Sequence, residues 1–229
     1  MFVGHLALAL AAKRAVPKAP LGWLMAAVTA LDLLWPLFLL AGMEHVRVSR
    51  GATAFNPLVF DSYPWSHGLL MALLWGTLLA VLGRSRGLSP RICYWLLGLV
   101  VSHWVLDFLT HAPDMPLWPG RSPRFGLGLW SSIPGTYMIE GAMWVAGIVL
   151  YLQGRRATRW IGPVAFWSFV LICTAMWATG PWSPPPPNER FLAWFTLVGW
   201  IILPWTALAD RYYAPTRWSQ VPTAHPGSE

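Results

Sequence analysis

His103, Asp107 and His111 fall at i, i+4 and i+8 of the apolar stretch SHWVLDFLTHAPD, a spacing that lines side chains up along one side of a helix. Ionisable groups are costly to bury in a membrane segment, and where they occur they line a cavity and carry function. Two imidazoles and a carboxylate in register are metal-binding chemistry, and the donor types suit zinc, manganese or iron. His103 and Asp107, one turn apart, reach the same ion. His111 lies two turns from His103, about 12 Å along the axis, so Asp107 stands where it can bridge two ions.

The elements that hold these residues are apolar runs at roughly 2–16, 21–42, 66–83, 92–110, 137–153, 161–179 and 190–209. A membrane-crossing helix needs about 20 predominantly apolar residues; the second, fourth, sixth and seventh runs meet this, and the first and fifth are short. The 229 residues are 56% hydrophobic and 11% charged, against about 25% charged in a soluble domain. Seventeen tryptophans fit a chain with many positions at the headgroup boundary. The pattern predicts an all-α, polytopic membrane bundle of about six to seven segments. Residues 1–210 form its single membrane domain and 211–229 a polar tail.

The net charge of +7 has a direction. Lys13, Arg14, Lys18, Arg84, Arg86, Arg91, Arg155, Arg156, Arg159, Arg211 and Arg217 collect on one side, eleven in all, against Arg47, Arg50, Arg121, Arg124 and Arg190 on the other. Basic residues accumulate in cytoplasmic loops, so the N-terminus is expected outside and the C-terminus in the cytoplasm. The excess reads as a topology signal that also suits anionic headgroups, and no nucleic-acid partner is expected. Cys93 and Cys173 lie in apolar runs without a C-x-x-C pair, which argues against a disulfide framework or a thiolate site. Lys13 and Arg14 follow the first apolar stretch instead of preceding it, so no cleavable signal peptide is expected.

With that orientation, His5, Asp32, His67, His103, Asp107, His111 and Glu140 all lie at mid-membrane or towards the outer end of five segments. Convergence at one depth argues for a metal site more strongly than any single residue does. Three uses remain open: a hydrolase, a transporter or ion relay built on the same residues, and a structural metal. A bound divalent ion lowers the pKa of water to about 7 and polarises a phosphoryl oxygen. Asp32 is placed to orient water or to ligate, and Asp114, Arg121 and Arg124 are acid and phosphate-binding candidates in the loop that follows.

The N-terminal GHLALAL, Asp32 followed by Trp-Pro, the block YPWSHGLL and SHWVLDFLTHAPDMPLWP together resemble bacterial inner-membrane metal-dependent hydrolases of the LexA-regulated type. The likeness covers roughly residues 1–140. That family is similar in turn to zinc-dependent phospholipase C and the fungal single-strand nucleases, all-helical enzymes with up to three zinc ions. The resemblance implies a multi-pass protein of the cytoplasmic membrane holding one or two divalent ions, most simply Zn2+. Its substrate would be a phosphoester of a lipid or amphiphile at the extracytoplasmic side. Asp32, His67, His103 and Asp107 would match the ligands of the best-defined zinc, with Asp107 bridging and with Asp32 and Asp107 as the catalytic carboxylates. His5 would match a ligand of a second ion, and His111 and Glu140 part of a third. Four residues before Glu140 stands Thr136, where the soluble enzymes have a histidine.

Overall fold

The computed structural model describes residues 1–215; Arg217 and the tail from 216 onward lie outside the described residues. The elements run α1 (Val3–Ala15), α2 (Leu21–Val28), α3 (Ala30–Leu40), β1 (His45–Val48), β2 (Leu58–Ser62), α4 (Pro64–His67), α5 (Leu69–Ser85), α6 (Pro90–Thr110), β3 (Met115–Pro116), β4 (Arg124–Phe125), α7 (Ile133–Leu152), β5 (Arg155–Ala157), α8 (Ile161–Thr179), α9 (Glu189–Thr196), α10 (Ile202–Arg211) and β6 (Tyr213–Pro215). Each of the seven apolar runs becomes helix. Pro90–Thr110, Ile133–Leu152, Ile161–Trp182 and Glu189–Arg211 are long and apolar enough to cross a membrane, and α2 with α3 makes a fifth such element if the bent pair is one span. These are the helices of a membrane protein. On α5 and α8 the side chains left uncovered are apolar and fall at helical spacing, as Leu70, Leu74, Leu78 and Val81, and as Val164, Trp167, Leu171 and Ile172. Such stripes suit contact with lipid tails and would be a liability in water.

α1 is the central helix. Of its 13 residues nine are buried, from Val3 to Lys13, which is what an all-round apolar helix requires. It meets α7 closely because Gly147 has no side chain; a Cβ there would lie 2.6 Å from the Ala7 carbonyl oxygen. Small residues at such crossings let backbones approach in a membrane, where packing supplies the attraction. α2 and α6 complete the wall around α1, with Leu10, Leu24, Met25, Leu96 and Val100 buried among them.

Sequence and structure part at the second run. It is not one straight helix: α2 and α3 meet at 55°, with Thr29 between them and its hydroxyl turned back onto the Met25 carbonyl at 2.7 Å. Trp-Pro after Asp32 suggested a break downstream, yet Pro36 lies inside α3. A proline lacks the N–H that would bond the carbonyl four residues earlier, here that of Asp32. This loosens the first turn of α3, and the bend falls just ahead of that turn.

The third run is divided as well. His67 ends the short α4, and Gly68 separates it from α5. A Cβ on Gly68 would sit 2.5 Å from the Pro64 carbonyl oxygen, so only glycine permits this corner. The separation lets His67 drop below the level that a straight third helix would give it. The loop 43–65 is a hairpin of β1 and β2, with His45 paired to Ser62 and Val48 to Leu58. The loop 111–136 carries the two-residue pairing of β3 with β4.

The far end of the bundle is tied at Asp210. Its carboxylate accepts from Lys13 (2.6 Å), Arg155 (2.8 Å), the Tyr151 hydroxyl (3.2 Å) and the Leu21 amide (3.2 Å). β6 then pairs with β5, so the segment directly after Asp210 is ordered structure.

Candidate metal centre

His103 is wholly buried on α6, and its Nδ1 lies 2.6 Å from the Val28 carbonyl oxygen. A carbonyl only accepts, so Nδ1 carries the proton and Nε2 presents a lone pair. The bend at Thr29 makes this possible, because a continuous helix would engage the Val28 carbonyl with an amide one turn on. Nε2 itself has no hydrogen-bond partner, although Asp107 Oδ2 is 3.0 Å away; the two groups are not aligned for a bond. A lone pair and a carboxylate oxygen facing each other so closely need a cation between them, either a proton or a metal ion.

The surrounding donors fit the metal ion. His67 Nε2 lies 3.5 Å from Asp32 Oδ1 and 3.7 Å from Asp107 Oδ2, and His103 Nε2 lies 3.7 Å from Asp32 Oδ1. Ligands about 2.1 Å from a tetrahedral zinc stand about 3.4 Å apart, and these separations lie just above that value. His5 enters from α1: its Nε2 is 3.0 Å from Asp107 Oδ1, and its ring stacks on His103 at 3.7 Å between centroids. Two overlapping groups can therefore hold an ion, His5 with His103 and Asp107, and Asp32 with His67 and His103. Both use His103, whose one lone pair serves one ion, so the overlap describes a single centre with alternative outer donors. The Met1 amino nitrogen and the Thr110 hydroxyl also meet here; the amine donates to Asp107 Oδ1 and, at 3.3 Å, to Thr110.

Burial is uneven around the centre. The side chains of His103, Asp107 and His67 are 0 to 5% exposed, whereas that of Asp32 is 46% exposed. Asp32 occupies the first turn of α3, where the helix dipole favours a negative charge. The donor set is closed on the α6 side and open at this carboxylate.

A second layer holds His67 in place. Its Nδ1 lies 2.7 Å from Ser66 Oγ, and Ser66 Oγ donates to Glu44 Oε2 at 2.7 Å. Glu44 Oε1 accepts from the amides of Trp65 and Ser66, both at 2.8 Å. Ser66 spends its proton on Glu44, so it accepts from His67 Nδ1 and leaves Nε2 free to face the donors. Burial pushes the Glu44 carboxyl up, and the Ser66 and Trp65 donors pull it partly back. Such outer partners fix the tautomer and angle of a ligating histidine. The hairpin supplies Glu44, since the pairing of His45 with Ser62 brings the residue before β1 against the start of α4. The sequence reading missed Glu44 and Ser66; the adjacency of Ser66 to His67 was the one available signal.

Two of the expected ligands lie elsewhere. α6 ends at Thr110, and His111 caps it with extended backbone (φ −68°, ψ 151°). The i+8 register therefore stops one residue short, and the ring turns into an aromatic box of Phe60, Tyr63 and Trp130. There His111 Nδ1 meets Asp114 Oδ1 at 3.0 Å, and the Tyr63 hydroxyl donates to the same carboxylate. Burial and the Asp114 charge hold the Tyr63 phenol well above its usual range. Glu140 is fully buried, as expected, but its Oε2 accepts from the amides of Phe2 (3.0 Å) and Gly4 (3.3 Å) at the start of α1. Arg124 holds the Asp61 carbonyl at 2.9 Å in the loop layer. Fold and site define a membrane helical bundle with one buried His/Asp centre. No protein-family model matches the chain, and curated proteins and solved structures give no match either.

Proposed function

We propose that this protein is a membrane-embedded, metal-dependent hydrolase acting on a phosphoester of a lipid or amphiphile at the extracytoplasmic side of a bacterial inner membrane. The observation that carries the reading is the asymmetry of the donor set, enclosed at His67, His103 and Asp107 and half exposed at Asp32. A structural site would be closed on all sides, whereas a catalytic one keeps a position for substrate. Asp32, His67, His103 and Asp107 would hold the ion, with zinc the best match to their donor atoms. A divalent ion bound there supplies a Lewis acid that activates water and polarises a phosphoryl oxygen. Asp32, at the open edge, orients the incoming water. His5 holds the Asp107 carboxylate through Oδ1, leaving Oδ2 to face the ion position beside His103.

A relay across the membrane fits less well. Leu10, Leu24, Met25, Leu96 and Leu99, buried towards the basic end, give no polar path through the bundle. The hydrolase reading is tested on protein purified in mild detergent against a panel of phospholipids and model phosphodiesters. Hydrolysis is expected, with loss on chelation and recovery on adding Zn2+. A metal-loaded protein inactive across the panel would reduce the centre to a structural one.

In this reading all seven helical runs belong to the membrane domain in six to seven segments, with the eleven-cation side in the cytoplasm. A cysteine introduced as Ser183→Cys, in the exposed turn after α8, should react with an impermeant maleimide in intact cells. Ser85→Cys, at the end of α5, should react only after permeabilisation. The reverse pattern would invert the topology and put the open edge of the centre in the cytoplasm.

A further inference from the structure

At the end of the bundle remote from the metal centre, a cavity of about 680 Å³ opens between the end of α1, the start of α6 and the end of α7. Lys13, Arg14, Lys18, Arg91 and Arg155 line it, and among the described residues no acidic one does. One carboxylate, Asp210, answers two of the five cations, Lys13 and Arg155. Arg14 is satisfied by the Gln153 amide oxygen and Arg91 by the Ala15 carbonyl. These neutral partners leave both charges uncompensated, and Lys18 has no carboxylate partner among the described residues. Arg155 is nine-tenths buried, at 10% exposure, yet its Nε has no hydrogen-bond partner. A walled cavity with this charge is built for a polyvalent anion, and phosphate is the group that guanidinium forks match best.

An apolar groove lies next to the cavity along α1 and α6. A second space, about 600 Å³, follows the α1/α6 crossing and is lined by Leu8, Ala11 and Ala12 on α1 and by Trp95, Gly98 and Leu99 on α6. The two spaces meet in sequence on both helices: Ala12 lines the groove and Lys13 the cavity, Ile92 lines the cavity and Trp95 the groove. Gly98 is open on this side, since a Cβ there would meet no atom within 4 Å. A headgroup-sized basic cavity thus lies, along the axes of α1 and α6, next to a tail-sized apolar slot that descends along α6. Basic pockets between membrane helices recognise acidic lipid headgroups.

We propose that this end of the bundle binds one molecule of an anionic phospholipid, with its phosphate among Arg14, Lys18, Arg91 and Arg155 and one acyl chain along the α1/α6 groove. The lipid is not the substrate of the metal centre. Twelve residues of α6 separate Arg91 from His103, about 18 Å at ~1.5 Å per residue. Its effect is structural: it neutralises the basic end and closes the seam between α1 and α6, the two helices that carry His5, His103 and Asp107.

Native mass spectrometry of the full chain, with phosphatidylglycerol or phosphatidylcholine titrated in detergent, tests this. One phosphatidylglycerol should bind at least tenfold more tightly than phosphatidylcholine. Replacing Arg14, Lys18 and Arg91 together by Gln should remove that preference. Gly98→Leu, whose Cβ has no protein atom within 4 Å, projects a side chain into the slot and should weaken phosphatidylglycerol at least tenfold while leaving the helix intact. Glycerol phosphate and inorganic phosphate serve as soluble probes. Equal competition by them, with no effect of Gly98→Leu, would make this a soluble-anion site and overturn the lipid assignment. Lipid retention that ignores both headgroup charge and the triple replacement would mean an unspecific annulus and overturn it as well. None of these readouts depends on hydrolysis or bound metal.

Discussion

Asp107→Asn should abolish hydrolysis while leaving the protein folded. Asp107 Oδ1 takes the His5 bond, and Oδ2 faces His103 at 3.0 Å and His67 at 3.7 Å. An amide of the same shape keeps an acceptor for His5 and turns an N–H towards the His103 lone pair. The charge that holds the ion is then gone, and with it the counter-charge of the buried Met1 ammonium. Activity on whichever phosphoester the parent cleaves should fall by on the order of 10³-fold, the scale on which removing a key electrostatic group acts. The metal-free protein should stay folded but melt somewhat earlier, because the new hydrogen bond to His103 offsets only part of what the buried Met1 ammonium loses with its carboxylate. A variant that keeps a tenth or more of the activity would exclude Asp107 from the chemistry. A parent inactive on every phosphoester would mark the centre as structural.

His103→Ala should strip the protein of metal and destabilise it. The ring is the member common to both donor groups, it satisfies the Val28 carbonyl and it stacks on His5. Alanine leaves that buried carbonyl unpaired, at about 1–3 kcal/mol, opens a void, and leaves Asp32 and Asp107 near one another with less to neutralise them. Elemental analysis should give about one ion per chain in the parent and close to none in the variant. Ser66→Ala provides the graded comparison. It keeps every ligand but unhooks His67 from Glu44, so affinity should weaken about 10- to 100-fold with little loss of stability. Unchanged metal content in His103→Ala would remove this residue from the centre. Equal loss in both variants would mean that the Glu44–Ser66 pair is itself indispensable for binding.

The donors were legible in the sequence because a charge in an apolar run has few reasons to be there. His5, Asp32, His67, His103 and Asp107 stand out on that ground, and the helical spacing of His103 with Asp107 gives their relation. What could not be read is where helices stop. His111 keeps the register of its neighbours on paper, but α6 ends one residue earlier and the ring leaves with the chain. Glu140 is as buried as expected, and its Oε2 serves the first amides of α1 while Oε1 stays buried without a hydrogen-bond partner among the described residues, a demand that appears only once two distant helices are docked. Glu44 lies in a loop where an acid is ordinary and Ser66 is a small uncharged residue, so composition gives them no contrast. The bend at Thr29 was invisible for a related reason: Pro36 pointed to a break on the wrong side of Asp32, and the freed Val28 carbonyl has no signature of its own.

The intimate fit of α1 on α7 also sets an order of assembly. At 13 residues, α1 is too short to cross a bilayer by itself, since that takes about 20, and its tightest neighbour, Gly147, is translated some 140 residues later. While the chain is being made, His5 must therefore wait at the membrane with its partner surface missing, and the ligands arrive singly until His103 and Asp107 come together. An ion bound early would meet only a fraction of its donors. In the proposed reading, loading would therefore follow the docking of α7 on α1, and newly inserted protein would pass through a metal-free interval whose length is set by translation.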